Sequence, residues 1–127
     1  MQKPTKPTTV GSFKRSPCAV ANTLEVIGDK WTLLIIRDLF IGKTTYKEFQ
    51  DSPESIPTNI LAARLKSLAA HGLIDKKPYQ DRPVRNAYTL TAKGKALGPV
   101  LMSMKNWGEE FIPGTQSMPP PSAPNKK

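Results

Sequence analysis

The sequence predicts a mainly α fold carrying one small β-hairpin, an α+β chain of element order α-α-α-α-β-β-α. Three observations carry that prediction. Apolar residues recur at helical spacing through the middle of the chain, the period shortens to that of a strand after Gly72, and helical spacing returns after Thr91. Length agrees, because 127 residues with 38% hydrophobic content suit one domain and one core.

The elements follow in order. Residues 1–15, rich in Thr, Pro and Lys, read as a disordered basic arm. Residues 16–112 form the domain. The first helix should open with Ser16 as N-cap and Pro17 at its first position, line Val20, Leu24 and Ile27 on one face, and end at Gly28. A second helix, from about Lys30 to Ile41, is apolar nearly all round, which marks the central helix of a core. A short helix over Tyr46 to Gln50 should turn Tyr46 and Phe49 inward. The fourth helix has Pro57 where a first helical position would be, repeats Leu61, Leu65 and Leu68, and closes at Gly72. Residues 73–77 and 86–90 read as two short strands joined through Asp81-Arg82-Pro83. Thr91 then caps a final helix with Leu97, Val100, Leu101, Met104, Trp107 and Phe111 on one stripe, and Gly98-Pro99 should bend or break it. Residues 113–127, containing Met118-Pro119-Pro120-Pro121, cannot be helical and read as a Pro-rich flexible tail.

Composition narrows the function. No apolar run approaches the roughly 20 residues needed to cross a bilayer, so no membrane partner is expected. Lys3, Lys6, Lys14 and Arg15 are followed by no apolar segment of a cleaved secretion signal. A single cysteine, Cys18, excludes an intramolecular disulfide framework and points to a reducing cytoplasm. One histidine and one cysteine leave little material for a transition-metal site, and no cofactor is called for. Cys18 and His71 lie on different elements without an orienting third group, which argues against a thiol enzyme. The net charge of +9 divides unevenly: residues 1–17 carry four basic and no acidic side chains, whereas residues 18–112 carry thirteen basic and ten acidic ones. Such a chain attracts polyanions, and charge alone does not choose between nucleic acid and an anionic membrane surface.

The arrangement of helices does choose. Two consecutive helices joined by a tight loop, the second followed by a basic hairpin, is the winged helix-turn-helix plan, in which one helix enters the major groove of double-stranded DNA. The helix from Pro57 to His71 holds Leu61, Leu65 and Leu68 to the core and offers Thr58, Asn59, Ala62, Ala63 and Lys66 on its opposite face. Thr58 and Asn59 suit base edges, the alanines permit close approach, and Lys66 suits a phosphate. An ordinary amphipathic helix also has a polar outer face, but fifteen residues without an acid, in a chain with ten acids, favour DNA. The hairpin adds Lys76, Lys77, Arg82 and Arg85, positioned for phosphates and, at Arg82, for a minor groove. Lysines on edge strands also block aggregation, the plainer reading of the same residues. Lys43, Thr44 and Thr45 precede the short helix, where backbone and hydroxyl groups commonly meet phosphate.

These residues resemble a known family. Cys18, Leu24-Glu25-Val26-Ile27-Gly28-Asp29-Lys30-Trp31, Thr44-Thr45-Tyr46-Lys47-Glu48-Phe49, Asn59-Ile60-Leu61-Ala62-Ala63-Arg64-Leu65, Gly72-Leu73-Ile74, Tyr88-Thr89-Leu90-Thr91 and Trp107-Gly108 look like the HxlR-type transcriptional regulators, a branch close to MarR. The resemblance covers roughly residues 18–112. It implies a homodimeric regulator of the prokaryotic cytoplasm, a DNA-reading helix from Thr58 to Ala70, a wing from Lys76 to Arg85, and a dimer interface built from the first and last helices. Two positions depart from the family's habit: Thr45 stands where arginine is frequent, and Pro57 where serine often opens the recognition helix. Both touch DNA-facing positions, so operator sequence is not carried over.

The last stripe supports dimerisation independently, since Met104, Trp107 and Phe111 are typical of interface cores. With them, Val20 and Leu24 of the first helix are the expected interface residues, whereas Leu97 and Leu101 suit packing within the monomer. Space between the helix-turn-helix and the dimer helices offers room for a small-molecule effector that no residue identifies. Cys18 should lie in the first turn of helix one, near Lys14 and Arg15, where a helix N-terminus and cations favour a thiolate. The resemblance implies redox sensing at this position for some members. A small buried hydrophobe is the alternative.

Overall fold

The computed structural model describes residues 13–116. Its elements are α1 (Ala19–Ile27), α2 (Thr32–Phe40), α3 (Tyr46–Gln50), α4 (Thr58–Ala70), β1 (Ile74–Asp81), β2 (Val84–Leu90), α5 (Ala92–Lys95) and α6 (Gly98–Phe111). The rest of the predicted arm and tail, residues 1–12 and 117–127, lies outside the described residues.

The core forms where α2, α3 and α4 converge under the hairpin. Ile35, Ile36 and Leu39 come from α2, Phe49 from α3, and Leu61, Leu65 and Leu68 from α4, closed by Leu73, Ile74 and Tyr88. Phe49 and Tyr88 meet as a tilted aromatic pair with centroids 6.2 Å apart. Asp29 starts α2. Its carboxylate accepts from the Trp31 and Thr32 amides, both at 3.0 Å, and from the Thr32 hydroxyl, satisfying donors that a helix start leaves open. Burial pushes the Asp29 carboxyl up, but these bonds and the nearby Arg64 outweigh it and hold the group below the usual carboxylate range.

The hairpin is antiparallel, with Ile74 opposite Leu90, Lys76 opposite Tyr88 and Lys77 opposite Ala87, and its register shifts between Pro78 and Gln80. Its base is tied to the body. The Tyr88 amide donates to the Thr44 carbonyl at 2.8 Å, and Thr45 bridges Ala87. Gly72, at φ +74°, takes the left-handed turn that ends α4. The Thr91 hydroxyl donates to its carbonyl and accepts from the Gly94 amide. Gly94 must stay bare, because a Cβ there would sit 2.2 Å from the Leu73 carbonyl oxygen.

Three expectations on the elements need correction. Helix α1 begins at Ala19 with Cys18 as its N-cap; the Ser16 hydroxyl accepts from the Cys18 amide instead of capping the helix itself. Pro57 is the N-cap of α4, one place ahead of its first position, because a residue with no amide hydrogen suits the entry to a helix as well as its first turn. The strands are longer than the sequence signals, since residues 78–81 and 84–85 continue the ladder past the loss of alternation. The final helix, as expected at Gly98-Pro99, breaks into α5 and α6, with Pro99 in the first turn of α6.

Candidate nucleic-acid interface

The turn between α3 and α4 is fixed from both sides. Thr45 and Glu48 form a reciprocal capping box at the start of α3, with the Glu48 carboxylate accepting from the Thr44 and Thr45 amides at 2.8 and 3.1 Å. The Thr44 amide above all holds the Glu48 carboxyl below its ordinary value. The Tyr46 hydroxyl donates to the Thr58 carbonyl at 2.9 Å, and the Gln50 side-chain amide donates to the Thr58 hydroxyl at 3.0 Å. Beneath the turn, buried Asp38 accepts from the Ser52 hydroxyl, which in turn accepts from Lys43 Nζ at 2.6 Å. Arg37 donates to Asp38 and makes a two-pronged contact with Glu54 at 2.9 and 2.8 Å. Glu54 keeps the guanidinium more firmly protonated despite burial, and Arg37 reciprocally lowers the Glu54 carboxyl. Bidentate pairs of this kind fix angle as well as distance.

On α4 the residues expected to read DNA share one outward face: Thr58, Asn59, Ala62, Ala63 and Lys66 are all exposed or part-exposed, while Leu61, Leu65 and Leu68 are buried. Arg64 belongs to the scaffold. Its Nε lies 3.1 Å from Asp29 Oδ2, an ion pair without a well-aligned hydrogen bond, joining α4 to the start of α2. His71 ends the helix, and its Nδ1 lies 2.9 Å from the Ser67 carbonyl, so that nitrogen carries the proton. The Lys93 ammonium, which the sequence did not single out, donates to the His71 carbonyl at 2.8 Å and complements the helix C-terminus.

The loop before α3 differs from expectation. Lys43 is half-buried and turned to Ser52, and the Thr44 and Thr45 amides are occupied by Glu48. An acid standing at this helix start is a structural cap, and it disfavours the backbone phosphate contact expected there.

On the hairpin, Lys76, Lys77, Arg82 and Arg85 are all exposed. Lys76 and Lys77 are successive strand residues, so they project from opposite faces and cannot serve one phosphate. Arg82 occupies the tip and Arg85 stands opposite Gln80. Two exposed apolar residues were missed, Tyr79 and Val84, at 55% and 67% exposure. Tyr79 has no partner in the register, and an aromatic residue among basic ones was the available signal.

The HxlR-like helix-turn-helix family model matches residues 26–116. The chain belongs to that family. It is 35% identical over 101 residues to the HTH-type transcriptional regulator Rv3095 of Mycobacterium tuberculosis, an alignment spanning 80% of this chain and 63% of that relative. The chain thus matches less than two thirds of that relative's length. Among solved structures, PA1607, a candidate transcription factor, is 42% identical with a TM-score of 0.71, covering 82% of this chain and 73% of that one. The redox regulator HypR in its oxidized form is 35% identical with a TM-score of 0.67, covering 73% and 96%. The fold is a winged helix-turn-helix: α3 and α4 are its two helices and the hairpin its wing.

The terminal helices of this HxlR-like chain carry their apolar residues outward. None of α6 is buried. Leu97 and Leu101 pack partly on the core, as expected for them, whereas Met104, Trp107 and Phe111 of the same stripe are exposed. In α1 only Ile27 is buried, and Val20 and Leu24 point away from the body at 68% and 51% exposure. Trp107 and Phe111 pack on each other with centroids 5.3 Å apart. Cys18 is an exposed free thiol, so the alternative of a buried hydrophobe does not hold in the single chain. Arg15, expected to favour its thiolate, is engaged elsewhere, with Glu25 at 2.9 Å and the Ala21 carbonyl at 3.3 Å.

Proposed function

We propose that the chain is a transcriptional regulator of the prokaryotic cytoplasm that binds double-stranded DNA sequence-specifically, as a homodimer on a palindromic operator. The observation that carries this reading is the outward face of α4, free of acids and flanked by the exposed basic wing. Asn59 and Thr58 read base edges, Lys66 and Arg85 hold phosphates, and Arg82 reaches a neighbouring groove, where it too lies against the phosphate backbone. The outward apolar residues of α1 and α6 support self-association, and a two-fold dimer sets the recognition helices roughly 34–36 Å apart, one turn of DNA.

The test is an anisotropy titration against DNA from upstream of the chain's own gene, beside shuffled DNA at matched salt. A specific-to-shuffled ratio of about 10³ or more is expected. Equal affinity for both would indicate a nucleoid-type binder, and binding to neither would leave a protein-interaction module. The Lys66→Ala, Arg82→Ala double variant should lower the salt slope by about 4, one for each of the two phosphates per subunit no longer neutralised in the dimer. An unchanged slope would place the phosphate-binding cations elsewhere.

A thiol response is favoured by one observation, the exposure of Cys18, and by likeness to a protein named a redox regulator. In this reading diamide takes two electrons and two protons from two Cys18 thiols, one per subunit, and an intersubunit S–S bond forms. Diamide should alter DNA affinity in the native chain and leave Cys18→Ser unaffected. Indifference of the native chain would remove the sensing role while sparing the regulator.

A further inference from the structure

A cleft of about 530 Å³ opens between the C-terminal end of α2 and the α6 face carrying Leu101 and Lys105, with Thr115 and Gln116 at its edge. It lies away from the DNA-reading residues of α4 and the wing. Its wall is mostly apolar, built from Phe40, Leu101 and Met102. The volume falls within the range of small-molecule sites, which combine an apolar lining with a few placed polar groups. Here those groups are unequal in sign: Arg37 and Lys105 are cations, and Glu109 is the acid among the lining side chains.

The two cations differ in availability. Arg37 is held by Asp38 and Glu54 beneath the helix-turn-helix. Lys105 is tied to Glu109 at 3.3 Å and Asn106 at 3.3 Å, contacts on an exposed helix surface that compete weakly with an incoming anion. Gly108 supplies the room, for an added Cβ there would meet nothing within 4 Å.

We infer that this cleft is a binding site for a small, flat, apolar anion whose ring lies against Phe40, Leu101 and Met102 and whose charge meets Lys105. It assigns a place and a ligand class to the effector space expected between the helix-turn-helix and the terminal helices. It also puts a ligand beside Arg37, the residue that clamps Glu54 in the turn before α4.

The test uses the full chain without DNA, so its outcome is independent of the DNA reading. The probes are the fluorescent anion anilinonaphthalene sulfonate and its uncharged analogue phenylnaphthylamine. Saturable binding of one anionic dye per chain is expected. Lys105→Gln should weaken the anion about fivefold while leaving the neutral dye within about twofold. Gly108→Leu fills the cleft with a better helix former, so the melting temperature should hold while both dyes bind about tenfold more weakly or worse. Absence of saturable binding to the full chain would overturn the site. So would a Gly108→Leu chain that binds both dyes as before. Equal weakening of both dyes by Lys105→Gln, or of neither, would overturn the anionic class.

Discussion

The helix-turn-helix body and the two terminal helices use similar residues to opposite ends. In α2, α3 and α4, large apolar side chains are buried among themselves, and the buried Asp38 and Ser52 have hydrogen-bond partners within the chain. In α1 and α6, apolar residues at the same helical spacing face solvent. Hydrophobic periodicity therefore identifies a helix and its apolar side without saying whether the covering partner lies in the same chain. The body is complete in one chain. The terminal pair presents an apolar surface of the kind that marks an interface.

The strongest way to break that comparison is to truncate one residue on each side. Leu61 is fully buried, so Leu61→Ala should cost about 3–5 kcal/mol in urea unfolding, transfer loss and cavity together. Trp107→Ala removes a larger side chain, yet at micromolar concentration its cost to the single chain should stay within about 1 kcal/mol, as for other exposed positions. Its effect should emerge in sedimentation, as dissociation of the proposed dimer at concentrations where the native chain is expected to remain paired. A destabilisation by Trp107→Ala that matches Leu61→Ala and ignores concentration would mean that α6 completes the monomer's own core.

The same contrast explains what could be read from the sequence. The Leu61, Leu65, Leu68 repeat, the short helix over Tyr46–Gln50 and the cap at Thr91 were legible because each rests on local spacing or local hydrogen bonds. The outward face of α4 followed from the same spacing. The division of the α6 stripe was legible from residue type, with Leu97 and Leu101 suited to the monomer and Met104, Trp107 and Phe111 to an interface, although their helical spacing is the same. Lys43 was misread because its partner Ser52 is nine residues away, brought close by α3, and no local pattern announces a buried Asp38 behind it. The hairpin's length was missed because Pro78 and the irregular register conceal strand alternation.

Within the body, a smaller effect separates reading from holding. Asn59 is exposed and touches none of the scaffold bonds that fix Thr58. Asn59→Ala should leave unfolding unchanged within about 0.5 kcal/mol. It should cost about 1–3 kcal/mol of discrimination between operator and shuffled DNA, with the salt slope intact. A fall in slope instead would reassign Asn59 from bases to phosphates and weaken the division of labour along α4.

The smallest effect concerns the cap that holds α3 in place. The Glu48 carboxylate accepts two amide bonds and has a folded-state value below its ordinary one, so its contribution is fully present above the unfolded carboxylate range of about 4.3. That contribution is lost as pH falls through the lowered folded value. Glu48→Gln keeps the shape and one acceptor oxygen but removes the charge, so at pH 7 it should cost about 0.5–1 kcal/mol, in line with other helix caps. Unfolding curves for the two chains should converge as pH falls below the ordinary carboxylate range and through the lowered folded value, because the native carboxylate becomes neutral over that interval. A gap that persists after the native carboxylate is protonated would mean that the glutamine loses hydrogen-bond geometry and not charge. The cap would then hold the turn by shape, as the Tyr46 hydroxyl does, and acidification would leave the recognition helix as firmly seated as before.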